Sequence, residues 1–155
     1  MDRISEIVSR LIKKYRTDDP YEIADCKGIL IIREPLGSTL GYHSTYKRIS
    51  FIHINYELSN VWQRFVCAHE LGHNILHPKA NTPFLRANTL FSVGRIEREA
   101  NQFAVELLMP DCIVCAGENR ARTIQEIATA CGVPQKLANL KRIKDTNCNF
   151  FYPFC

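Results

Sequence analysis

Apolar side chains at Ile4, Ile7, Val8, Leu11, Ile12 and Tyr15 recur at helical spacing, so the chain opens on an amphipathic helix over residues 2–16. Asp19-Pro20 followed by Glu22 suits a second helix start, with Asp19 as N-cap and Pro20 in the first turn. That helix ends near Gly28. Ile29–Ile32 is a short β-branched run that stops at Pro35. Gly37 and Gly41 bracket a loop, and Leu40–His43 adds a short strand. Lys47–Asn55 alternates, with Ile49, Phe51 and His53 on one face and Ser50, Ile52 and Ile54 on the other. Three short strands predict a small antiparallel sheet. Asn60 can cap a long helix, with Gln63 at the capping-box position. It carries Trp62, Phe65, Val66, Ala68, Leu71, Ile75 and Leu76 and must stop before Pro78. Residues 78–93 read as a loop. A further helix covers residues 95–108 and ends at Pro110, and helices alternate with turns to Lys144. Helices, a small sheet, then helices again define an α+β chain.

Composition narrows this picture little. At 155 residues the chain can bury one sizeable core. It starts on charged residues, with no apolar leader, and no apolar run approaches the roughly 20 residues that cross a bilayer. A cytoplasmic protein without a membrane partner is expected. Seven cysteines are an odd number for a disulfide framework, and reduced thiols are the expected state. Cys112 and Cys115 form a CxxC, with no second pair to complete a metal cage.

The long central helix contains His69-Glu70-Leu71-Gly72-His73, an HExxH pattern. Residues four apart lie on one helical face, so two imidazoles can reach one Zn²⁺. Glu70 is offset around the helix, where it can take a proton from water and return it to a leaving amine. A hydrolytic zinc site wants three protein ligands and one open position. A third histidine six residues after His73 would mark a metzincin, but Lys79 stands there. His77 continues the face, yet directly precedes Pro78. The gluzincin solution, a glutamate from a following helix, is offered by Glu97. Glu97 shares a face with Asn101, Ala100 and Ala104, whereas Glu99 points elsewhere and is the weaker candidate. For the donor that would stabilise an oxyanion, His43, Tyr42, Tyr46 and Tyr56 all qualify.

AHELGHNILH at 68–77, followed by EREANQFAVELLMP at 97–110, resembles the ImmA/IrrE metallopeptidases of phages and integrative elements. Asp19–Ala24, Gly28-Ile29 and Arg64–Val66 extend the similarity, which covers about residues 15–145. The resemblance implies a gluzincin-like zinc core in which His69, His73 and Glu97 bind Zn²⁺ and Glu70 is catalytic. Asn101 matches the position that orients the first ligand, where many gluzincins carry Asp; an amide accepts the hydrogen bond but adds no charge. The resemblance also implies a substrate, a helix-turn-helix repressor from the same mobile element. The Lys47–Asn55 strand, taken as a sheet edge, could pair with an extended peptide. Loop 78–93 could serve as a lid.

Between Arg120 and Lys144 six basic side chains face one acid, Glu126, a segment charge of +5 against +4 for the whole chain. Thr123 and Glu126 form a capping box, and Ala128, Gly132 and Val133 have helix-turn-helix spacing. Pro134 can start a second helix through Leu137, Leu140 and Ile143. Residues 1–110 are thus expected to form the zincin-like core, with 111–155 a helical segment packed on it, ending in an HTH-like hairpin. The aromatic tail Phe150–Cys155 is expected to tuck against protein. The leading expectation is a zinc endopeptidase that cuts a repressor and relieves repression. The alternative is a DNA-binding or repressor-binding regulator with a structural or vestigial metal site; nucleic acid is the second choice of partner.

Overall fold

The computed structural model describes residues 2–80, 85–86, 89–92, 94–118 and 122–143. Helix α1 (Arg3–Tyr15) buries Ile4, Val8 and Ile12 and is capped by Asp2, whose carboxylate accepts from the Ser5 amide. Helix α2 (Pro20–Cys26) begins as its residues dictate: Asp19 accepts from the Tyr21 amide at 2.9 Å, and Pro20 opens the first turn. Strands β1 (Leu30–Glu34), β2 (Thr39–Tyr46) and β3 (Ile49–Asn55) follow.

The sheet is mixed rather than antiparallel. Its order is β1-β3-β2-β4, where β4 is the two-residue strand Leu85–Arg86 inside the expected loop. β2 and β3 are joined by the two-residue turn Lys47-Arg48, both at positive φ (47° and 68°), and so must be antiparallel. β1 lies on the other side of β3 and is parallel to it, with Ile31 opposite Ile52. Asn55 holds this crossing together: its Nδ2 donates to the Gly37 and Thr39 carbonyls at 3.1 and 3.2 Å. β3 is therefore interior, and the expectation that it offers a free edge to a peptide is wrong. The alternation was read correctly, since Ile52 and Ile54 are fully buried.

Helix α3 (Asn60–Leu76) lies across the inner face of the sheet, against β2 and β3. Its cap is Ser59, one residue before the expected Asn60, and Gln63 donates to the Leu58 and Tyr56 carbonyls instead of closing a capping box. Helix α4 (Arg95–Leu108) packs on α3, and α1 packs on α4. Two glycines set these approaches. A β-carbon at Gly41 would overlap Val66 Cγ1 and lie 2.7 Å from the His53 carbonyl oxygen, so β2 sits directly on α3. One at Gly72 would come within 3.1 Å of Phe103 Cβ and 3.2 Å of the Ala100 carbonyl oxygen, so α3 and α4 meet almost backbone to backbone. Among the described residues no helix is long and apolar enough to cross a membrane.

Helix α5 spans Asp111–Glu118, and α6 (Ile124–Ala130) starts on the foreseen capping box of Thr123 and Glu126. The next element is a 3-10 helix, Gln135–Leu140, not an α-helix reaching Ile143. It packs on α4 and α6, and Ile127, Ala128, Val133, Leu137 and Ala138 join the main core. Lys141 does not belong to a solvated basic face. Its side chain is 3% exposed and donates to Glu106 Oε2 at 2.7 Å and to Asp111 Oδ1 at 2.6 Å. Lys136 lies over the Phe91 ring, while Arg120, Lys144 and the tail Phe150–Cys155 fall outside the described residues. The cysteines also depart from expectation: Cys112 is disulfide-bonded, whereas Cys26, Cys67 and Cys131 are free thiols and Cys115 is in no disulfide. The CxxC pair is thus not closed on itself; pairing depends on separation in space, which spacing along the chain does not supply.

Burial pushes the Glu106 carboxyl up, while the neighbouring Lys141 ammonium pulls it back. Replacing Lys141 by Met should therefore destabilise the protein by about 3–5 kcal/mol, because it strands a buried carboxylate. Its removal raises Glu106 further. A carboxyl that prefers its proton in the folded state favours folding at low pH and loses that contribution as pH rises through its folded value. The deficit of Lys141→Met, read from thermal melts, should grow from mildly acidic to neutral pH. A constant deficit would mean that the pair is not what holds this segment.

Candidate metal centre

Helix α3 delivers His69 and His73 one turn apart on the face turned toward α4, and both rings are fully buried. Helix α4 delivers Glu97 from its first turn. The Nε2 atoms of His69 and His73 are 3.0 Å apart. Glu97 bridges them, with Oε2 at 3.3 Å from His69 Nε2 and Oε1 at 3.3 Å from His73 Nε2. One ligand-type atom from each of the three residues falls within 4.8 Å of the others, the only such His/Cys/Asp/Glu group of three or more among the described residues.

The tautomer of His69 follows from its other side. Asn101 Nδ2 donates to the Leu90 carbonyl at 2.6 Å, which fixes the amide and turns its oxygen to His69 Nδ1 at 2.9 Å. An amide oxygen only accepts, so Nδ1 carries the proton, and Nε2 is the ring atom turned toward His73 and Glu97. Burial alone would raise the Glu97 carboxyl. Hydrogen bonds and charge from His69 and His73 outweigh it and hold the group down at about 2, so Glu97 is a carboxylate at neutral pH. The Glu97 carboxylate is buried against both rings, and two imidazole nitrogens face each other across 3.0 Å. Two nitrogens and a carboxylate converging in this way form a donor set that suits a zinc-type cation.

Glu70 lies beside this group and is 1% exposed. Its Oε2 accepts from His43 Nδ1 at 3.1 Å, and its Oε1 has no partner. Of the four candidate oxyanion donors, His43 alone reaches the site; its ring lies against that of His73, centroids 5.7 Å apart. Tyr42 points to the opposite face of the sheet, where it stacks on His53 at 4.2 Å. Tyr46 and Tyr56 are exposed, at the hairpin tip and in the turn before α3. His77 and Glu99, the weaker ligand candidates, face each other at 3.1 Å away from the centre, and Glu99 also pairs with Arg95.

The profile of peptidase family M78, described as the IrrE N-terminal-like domain, matches residues 24–141. The chain belongs to the ImmA/IrrE family of metallopeptidases. It is 48% identical over 143 residues to a protein of Bacillus phage phi105 named uncharacterized immunity region protein 2, across 92% of this chain and 90% of that one. It is 36% identical over 110 residues to metallopeptidase ImmA of Bacillus subtilis (strain 168), across 70% of this chain and 64% of that relative. Family membership implies a metal ion, and the His69–His73–Glu97 group is where the described residues could hold one.

Sequence reasoning missed two parts of this centre. The Leu90 carbonyl that orients Asn101 lies in the segment read as a loop and lid. Described pieces of it pack into the fold: Leu90 and Leu85 are buried, and Leu85 pairs with Gly41. The pairing of His43 with Glu70 was also missed, although strand phase pointed to it. Residues 41 and 43 share a face, and Gly41 is the residue that lets β2 touch the helix.

Replacing Asn101 by Leu should strand both the His69 Nδ1–H and the Leu90 carbonyl. The cost is about 1–3 kcal/mol for each buried group left unpaired. Urea denaturation of the metal-free protein measures it. An unchanged midpoint would show that Asn101 does not orient His69.

Proposed function

We propose that this chain is a zinc-dependent endopeptidase acting in the cytoplasm on a helix-turn-helix repressor of a phage or mobile element, so that cleavage relieves repression. The observation that carries the reading is the convergence of His69, His73 and Glu97 on one point with Glu70 beside it. The phage relative named for an immunity region supports a substrate that maintains repression. Residues 1–110 are read as the gluzincin-like core, with 111–155 as a helical segment docked on it and Asn101 orienting the first ligand.

His69, His73 and Glu97 would hold Zn²⁺, which when bound makes water acidic enough to attack at neutral pH and polarises the scissile carbonyl. The chain's own part begins with Glu70. Its unpartnered Oε1 accepts the proton of the attacking water and carries it to the departing amine. Asn101 keeps the His69 proton on Nδ1, leaving Nε2 as a ligand atom. His69, Glu70, His73 and Glu97 are all buried, which strengthens each of these interactions. The burial of Lys141 in an ion cluster removes one of the cations on which a DNA-binding reading would draw.

Elemental analysis of the purified protein, combined with incubation against the repressor carried on the same element, tests this. About one zinc per chain is expected, lost in Glu97→Ala. Glu70→Gln should keep its zinc while cleavage, followed by mass spectrometry, falls by about 10²–10⁴-fold. Zinc absent from the wild type, or undiminished cleavage by Glu70→Gln, would overturn the reading.

A further inference from the structure

We propose that His43 is a positioning residue of the peptidase site, acting on the general base Glu70 rather than on the metal. The inference rests on the zinc peptidase reading above. A carboxylate has two chemically equivalent oxygens, and a buried one that must take a proton from a particular direction gains from having them told apart. In this site they are told apart. Glu70 Oε2 is 3.1 Å from His43 Nδ1, while Oε1 is buried and without a hydrogen-bond partner. The carboxylate accepts only, so His43 Nδ1 donates, and Oε1 is left as the oxygen with an open lone pair. The bond spans two elements, from strand β2 to helix α3, so it fixes the rotation of the carboxylate relative to a framework outside its own helix.

Three features make the contact a built one. His43 is partly buried, its side chain 12% exposed beside a Glu70 side chain at 2%. Its ring lies against that of His73 at 5.7 Å, which limits its own rotation. Gly41, two residues earlier on the same face, has no side chain, so the strand can come down on α3 at Val66 and bring residue 43 within reach of residue 70. A larger residue at 41 would lift the strand and break the contact.

The test uses a zinc-directed probe whose size makes it independent of the repressor. Acetohydroxamic acid gives a proton to the general base when it binds a metal in such a site, and cobalt-loaded protein reports its binding by visible absorption. His43→Phe keeps the ring and removes the donor; His43→Gln restores a donor. We expect His43→Phe to bind acetohydroxamate about tenfold more weakly than wild type, the scale of one hydrogen bond to a charged group, and His43→Gln to recover most of the loss. On a Glu70→Gln background His43→Phe should have no further effect, because its action runs through Glu70. Cobalt content and melting temperature of each variant show that the site and fold persist, and in metal-free protein nitrogen NMR should report the proton of His43 on Nδ1. Equal binding by wild type and His43→Phe would overturn the inference, as would a full loss on the Glu70→Gln background, which would assign His43 to direct contact with the probe. A wild type that takes up no metal fails the zinc reading itself, a separate and earlier outcome.

Discussion

The site depends on one close approach. Helix α3 carries two imidazoles and α4 one carboxylate, and these can share a cation only if the helix axes come unusually near. Gly72 on α3, facing Ala100 and Phe103 on α4, permits it. The glycine sits inside the HExxH pattern, at the residue before His73. It costs the helix some intrinsic stability, roughly 1 kcal/mol relative to alanine, and what it secures is distance. The surrounding packing follows: Ala104 and Leu107 are fully buried, α1 backs α4, and the sheet covers the other side of α3 through Gly41.

Much of this was legible in the residues because it is local. HExxH fixes its own geometry once it lies on a helix, and the alternation of β3 and the caps of α2 and α6 depend only on neighbours in the chain. Glu97 was legible for a subtler reason: Ala100 and Ala104 beside it announce a face that something approaches closely. What was not legible is non-local. That β1 lies beside β3, with Asn55 bonding backbone carbonyls 16 and 18 residues away, is encoded by no periodicity. The 3-10 form of Gln135–Leu140 is another case, since its apolar spacing fits either helix.

The C-terminal segment shows how charge counted along a sequence can mislead. Lys141 contributed to a basic run on paper. In the fold it is enclosed with Glu106 and Asp111, and the Arg142 amide donates to the other oxygen of Glu106 at 2.7 Å. This cluster binds the end of the 3-10 helix to the last turn of the helix that carries Glu97. The segment is thereby fastened to the scaffold of the metal centre.

The hydrogen-bonded chain from Leu90 through Asn101 to His69 joins a connecting segment to the metal centre. Two equilibria are therefore one. A cation on His69 favours the ring orientation that Asn101 holds, and Asn101 holds it by virtue of the Leu90 carbonyl. Free energy gained by a bound cation would be shared with the contact at Leu90, and whatever loosens that contact would be repaid as weaker affinity. With a cation bound there, the described stretch at Leu90 would be a ligand-stabilised element, its local stability tracking the cation supply of its surroundings.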